Sequence, residues 1–367
     1  MQTKRHYEGT NFITGLRAIA IFLVFLIHSG GGGLRELGGA YNLLVDFGQY
    51  GVPMFFVISG FTIFYQLDSG RYSFSEFLMI RVSRVSIPYF PLILLIFIYS
   101  SMGGEQFNGW ANKFNDGVIS IDNMLAHLTY LASFSLKYAN TIIGVEWSLH
   151  IEVFFYLILG YAIARKFLKI SFKSLFVALL ATVIMAIIFL FLRHTNRLDP
   201  LLVNFMPFRY AWMFVLGGIG YYCRNVVHRQ LTKEVQYKLS NIAILVSIAS
   251  ALTLLNVKEI NGVGAVNEGV FALLTFIMIA FVRDDAGLSA MLKNKVLIWF
   301  GSISFSFYLI HYIVIQTKIV HYFVADTFLL FIANFLLATL ISYLWFSIFE
   351  VKIYRKAKLY ITSVGRD

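Results

Sequence analysis

One cysteine and five prolines serve a chain of 367 residues. With Cys223 alone, no internal disulfide can form. Charge is scarce as well. Asp, Glu, Lys and Arg make up 13% of the residues, against ~25% in a soluble domain. The sequence has no HExxH, no CxxC and no His/Cys cluster at ligand spacing, so no metal site is expected. No dinucleotide fingerprint or P-loop occurs, which excludes an internal nucleotide-binding domain of those kinds. No repeat period is visible, which counts against transporters built from internal repeats.

Apolar residues fill the space. They form 59% of the chain, and the mean hydropathy is +0.74. The composition predicts an all-α integral membrane protein. About ten transmembrane helices are expected: Phe12–His28, Leu44–Tyr65, Ile87–Met102, Trp147–Ala164, Leu175–Leu192, Leu201–Tyr222, Leu239–Val257, Ala265–Val282, Val296–Thr317 and Asp326–Phe349. Residues 74–87 read as a short interfacial helix, with Phe74, Phe77, Leu78 and Ile80 set against Ser75, Glu76, Arg81 and Arg84. Met124–Tyr138 is too short and too polar for a span and reads as re-entrant or interfacial. The start (Lys4, Arg5, His6, then an apolar run) looks like a signal peptide, but Arg17 interrupts the run and no A-x-A site follows, so the helix is expected to be retained.

The formal net charge of +11 would suggest nucleic acid in a soluble chain. In a membrane protein, basic residues gather in cytoplasmic loops, and no nucleic-acid partner is expected. Of the 30 Lys and Arg, 21 fall in loops on one side of the predicted topology and seven on the other. That bias places both termini in the cytoplasm. Residues 1–367 read as a single polytopic domain and 350–367 as a short basic cytoplasmic tail.

Polar residues inside apolar runs are the candidates for chemistry. Arg17 and His28 lie eleven positions apart in GLRAIAIFLVFLIHSG, which places them within ~20° on one helical face and ~16 Å apart along the axis. Arg81 and Arg84 form a compact i,i+3 pair, and guanidinium matches phosphate in fork geometry. In EWSLHIEVFFYL, Glu146 and His150 are i,i+4 and are expected to interact. Glu152 is a carboxylate within a span, expected to orient a histidine or to pair with an arginine such as Arg17 or Arg209. Ser304, Tyr308 and His311 make one polar stripe that should face the bundle, with His311 read as a hydrogen-bonded core group. Ser59-Gly60 should allow close helix contact, and Gly51 with Pro53 should break a helix.

Taken together, GLRAIAIFLVFLIH, FFVISGF, RVSR before a proline, EWSLHIEVFFYL and GSISFSFYLIH resemble, in order, the membrane-bound acyltransferase-3 family, which O-acylates bacterial surface sugars. The resemblance implies acetyl-CoA as co-substrate with no tightly bound cofactor. It implies a hydroxyl of a cell-surface polysaccharide or polyprenyl-linked sugar as acceptor, a lipid environment, and a multi-pass place in the bacterial cytoplasmic membrane. It makes His28, Arg17 and Glu152 catalytic, Arg81 and Arg84 donor-binding, and Ser59, Trp147, Tyr308 and His311 pocket residues. Two positions depart from the family pattern: Pro88 falls one residue late, and His150 stands where a small residue is usual. The alternative reading is a lipid-linked sugar transporter or flippase.

Overall fold

The computed structural model describes residues 11–31, 33–104, 108–115, 119–256 and 264–364. Lys4, Arg5 and His6, with Lys258 and Arg366 of the charge count, lie outside the described residues. The described residues are 82% helical and hold no strand. The helices are α1 (Asn11–Gly31), α2 (Gly39–Phe47), α3 (Gly51–Asp68), α4 (Phe74–Ser101), α5 (Gly109–Asn115), α6 (Ile121–Leu128), α7 (Trp147–Ala164) and α8 (Phe172–His194). They continue with α9 (Pro200–Phe205), α10 (Ala211–Gln230), α11 (Lys233–Asn256), α12 (Gly264–Phe281), α13 (Lys295–Ser302), α14 (Ser304–Gln316), α15 (Thr327–Trp345) and α16 (Arg355–Val364). A π-helical segment, Phe346–Tyr354, joins the last two.

Among the described residues, seven helices are long and apolar enough to cross a membrane, or eight if α13 and α14 count as one broken span. The outward faces explain where they sit. α8 has a mean hydropathy of 3.1 over its best window, yet only 11% of that window is buried in the protein. Phe176, Val177, Leu180, Ile184, Ile187 and Phe191 are all exposed. A helix apolar all round and uncovered by protein is covered by lipid. This is a multi-pass membrane protein.

Three of the ten predicted spans are not single long apolar helices. Leu201–Tyr222 is divided, because Pro207 lacks an N–H and biases Met206 to an extended conformation (φ −80°, ψ 135°). The apolar part of α12 is short, Asn267–Phe281. Val296–Thr317 breaks at Ile303, between α13 and α14.

One further expectation is corrected. The interfacial helix near 74–87 does not exist as a separate element: α4 runs unbroken from Phe74 to Ser101 through Pro88 and Pro91. Its start is fixed by a capping box, with Ser73 Oγ accepting the Glu76 N–H and Glu76 Oε2 accepting the Ser73 N–H. The apolar residues beyond the prolines, Leu92, Ile93 and Ile96, are buried, and that burial carries the helix onward. Past Phe349 the chain stays helical, with helix Thr327–Ser363 continuous over 37 residues.

The chain divides into two compact units. The first comprises Met1–Thr62 and Met213–Ser304, the second Ile63–Trp212 and Phe305–Asp367. In the first, α3 and α10 cross at glycines. A Cβ on Gly60 would strike the Phe214 carbonyl, and one on Gly217 would strike the Val57 carbonyl. The close approach expected of Ser59-Gly60 is therefore present. The break expected at Gly51 appears as a 3-10 turn, Gly48–Tyr50, after which α3 begins.

Candidate functional site

The first unit carries Arg17, His28 and Ser59. Arg17 and His28 lie on one uninterrupted helix, α1, and both are half-buried. Its backbone is clamped at both ends. A Cβ on Gly15 would collide with the Leu292 carbonyl, and one on Gly301 with the Thr14 carbonyl. Further along, Gly48 sits against Leu23 O and Ile27 N, and Gly51 against Ala20 O. The absence of side chains lets neighbouring segments touch the α1 backbone directly.

The start of α1 is held by charge. Asp284 accepts the N–H of Asn11 at 2.8 Å and of Phe12 at 3.0 Å, answering two of the helix's open donors and its dipole. Arg224 lies over the Phe12 ring at 5.1 Å and donates to the carbonyls of Ile279 and Val282. At the other end Ser29 Oγ donates back to Phe25 O at 2.8 Å. His28 thus occupies the last turn of α1 and is half-buried. Ser59 is buried beside the α3–α10 crossing.

The second unit carries the other candidates: Arg81, Arg84, Trp147, Glu152, Tyr308 and His311. Arg81 is buried, donates from Nε to Gln66 Oε1 at 2.8 Å, and lies 5.5 Å from the Tyr156 ring centroid. Arg84 interacts electrostatically with Glu350 and Glu152. Glu152 Oε1 accepts the Tyr156 hydroxyl at 2.5 Å, and Glu350 Oε1 accepts Ser306 Oγ at 2.6 Å. The arginine pair is therefore embedded in a polar cluster with two carboxylates. Glu152 joins that cluster. Arg209 donates to Asn204 and lies over the Tyr210 ring at 5.0 Å.

Glu146 and His150 interact electrostatically, while the hydrogen bonds of the Glu146 carboxylate go elsewhere. Glu146 precedes α7 and is fully buried. Its carboxylate accepts the N–H groups of Ile142, Ile143, Gly144 and Val145, and His127 Nε2 lies 3.1 Å from Oε1. Burial alone would raise the Glu146 pKa; the His127 hydrogen bond and charge, with the backbone donors, outweigh it and bring it down to about 2. Gly144, at φ 103°, supplies the left-handed turn that aims its N–H at the carboxylate. His150 lies 3.2 Å from Tyr89 OH and 3.1 Å from Ser133 Oγ. Glu146, Tyr89 and Ser133 thus converge on two histidines, and His127, in the stretch expected to be re-entrant or interfacial, comes from α6.

The stripe of Ser304, Tyr308 and His311 is buried throughout. Tyr308 donates to the Val145 carbonyl and lies 2.8 Å from Ser148 Oγ. His311 Nδ1 lies 2.9 Å from Phe307 O and its ring stacks on Phe307. Trp147 is half-buried against Phe205 and Tyr210.

Sequence reasoning missed Glu350, His127 and Asp284 as site-building residues. Glu350 stood one residue past the last predicted span and was read with the tail. A lone acid between an apolar run and a basic cluster was the signal available. Nothing local marked His127 or Asp284, whose partners lie 19 and more than 270 residues away.

Comparison with known proteins gives one result. The family model of the acyltransferase domain, Acyl_transf_3, matches residues 10–348. No curated protein and no solved structure matches.

Proposed function

Because this chain belongs to the acyltransferase-3 family, and is therefore an acyltransferase of the membrane, we propose that it moves acetyl from acetyl-CoA to a hydroxyl of a cell-surface polysaccharide or lipid-linked sugar in the bacterial cytoplasmic membrane. The family match over nearly the whole chain favours transfer over the transporter reading. The observation that carries the proposal is α1 itself: one rigid helix presenting Arg17 and a half-open His28.

In this reading neutral His28 accepts the proton of the sugar hydroxyl as its oxygen attacks the thioester carbonyl. The new C–O bond forms, the C–S bond breaks, and the CoA thiolate leaves and takes up the proton. Arg17 is the carbonyl-polarising or donor-binding cation. Arg81 and Arg84 take donor phosphate, and the carboxylates of Glu152 and Glu350 beside Arg84 set how that guanidinium is held. Ser59 in the first unit, and Trp147, Tyr308 and His311 in the second, are proposed as pocket residues.

The test uses radiolabelled acetyl-CoA and membranes at matched expression. Label should enter the glycolipid fraction with the native chain. With His28→Ala it should fall ~10²-fold or more, the scale of a lost general base. Equal labelling by both proteins would remove His28 from the chemistry. Transfer from succinyl-CoA but not acetyl-CoA would change the acyl group and keep the class.

A further inference from the structure

Within the second unit, the turn before α4 and the C-terminal helix α16 enclose a cavity of about 320 Å³. Arg71, Tyr72 and Glu76 line one wall, and Arg355, Lys358, Leu359 and Thr362 line the other. The spacing of the second group is i, i+3, i+4, i+7, one face of α16. Three cations therefore meet one carboxylate. That carboxylate is already engaged, since Glu76 Oε2 accepts the Ser73 N–H at 2.7 Å. Arg71 lies over the Tyr72 ring at 5.5 Å, which pre-orients its fork. Arg81 and Arg84 also act on Lys358 electrostatically, so the field of the cavity is continuous with the arginine pair. Gathering like charges in one place costs self-repulsion that a bound anion relieves. The volume is at the small end of ligand sites and matches a phosphorylated headgroup.

We propose that this cavity is a phosphomonoester site that receives the 3′-phosphate of CoA and selects CoA over its 3′-dephosphorylated form. The inference rests on the CoA-donor reading above and adds the groups that read the nucleotide end. Arg71 and Arg355 offer planar forks to the phosphate oxygens, and Lys358 offers a point charge. A lipid phosphomonoester, phosphatidic acid, shares that chemistry.

The test uses the full chain in phosphatidylcholine nanodiscs. Calorimetry measures CoA and dephospho-CoA, and native mass spectrometry measures retention of added phosphatidic acid. The native chain should prefer CoA by ~10–100-fold, the scale of one or two lost charge-assisted hydrogen bonds. The double variant Arg355→Gln/Lys358→Gln should lose that preference, with dephospho-CoA affinity within about threefold of native. Thr362→Glu, which adds an anion to the wall and leaves the three cations in place, should lose it too. Equal binding of CoA and dephospho-CoA by the native chain, with equal lipid retention by native and double variant, overturns the site and leaves the donor reading standing. Equal nucleotide binding with lipid retention lost in the double variant assigns the site to the lipid and overturns its role in donor selection. Failure of the native chain to bind either nucleotide overturns the donor reading and this proposal together.

Discussion

His28 and His150 both sit near membrane-helix ends, in surroundings of different kinds. In the first unit neighbouring segments close on the backbone of α1 at glycines, and His28 is half-buried. In the second unit, hydrogen bonds fix the side chains themselves. His150 is held between Tyr89 and Ser133, and His127 between Glu146 and the Asn123 carbonyl. His127 and His150 are both buried. The contrast is one of burial. Glycine contacts to the backbone of α1 leave His28 half-buried, whereas a hydrogen-bonded network encloses His127 and His150.

That contrast can be broken at the glycines. Gly60→Ala places a Cβ against the Phe214 carbonyl and its neighbours in backbone, which has no flexible end to move. Overpacking of this kind costs ~1–3 kcal/mol and more where backbone must shift. The expected outcome is a thermal midpoint lowered by many degrees, with acyl transfer lost along with the fold. A variant that melts like the native chain would show that glycine proximity is not what locks this unit.

Glu146→Gln tests the other half. The amide would present its NH2 to N–H groups of the 142–145 loop that now donate to the carboxylate. Removing one partner of a buried pair costs ~3–5 kcal/mol, read as a lowered unfolding midpoint. The pH dependence has a definite sign. The folded carboxyl lies near 2 against an ordinary 4.5, so the native chain has this stabilisation in full above 4.5. It loses it as pH falls from 4.5 toward 2, while the glutamine variant shows no such loss from this site. A native chain equally stable across that window would refute the assignment.

The smallest effect belongs to Tyr308→Phe. Loss of a hydroxyl that donates to the Val145 carbonyl and meets Ser148 should cost ~1 kcal/mol. Acyl transfer should stay within about threefold of native if Tyr308 only shapes the wall. A loss of ~10²-fold at unchanged stability would instead place its hydroxyl at the reacting atoms.

Much of the first unit was legible in the sequence. The apolar run Phe12–His28 specifies α1, and Ser59-Gly60 signals a close crossing, because both are local patterns. The buried stripe of Ser304, Tyr308 and His311 follows from helical spacing alone. The second unit was less legible, since its polar cluster is assembled from distant segments. Glu146 is four residues from His150, yet it turns toward His127 because the 142–145 backbone curls around it. The polar-apolar pattern near 74–87 and the apolar run Ile87–Met102 suggest two elements, and burial of Leu92, Ile93 and Ile96 beyond Pro88 carries them on as the single helix α4.

The π-helical segment Phe346–Tyr354 between α15 and α16 has a bearing on how the C-terminus can vary. A π-helix bonds i to i+5 and so holds an extra residue in each turn. It works as a phase shifter between the membrane-embedded stretch and the basic residues that follow. Deleting one residue there would turn Arg355, Lys358 and Thr362 together by ~100°, away from Arg71 and Glu76, without altering a single charge. The spacing from Trp345 to Arg355 is therefore more tightly constrained than the identity of the residues that fill it.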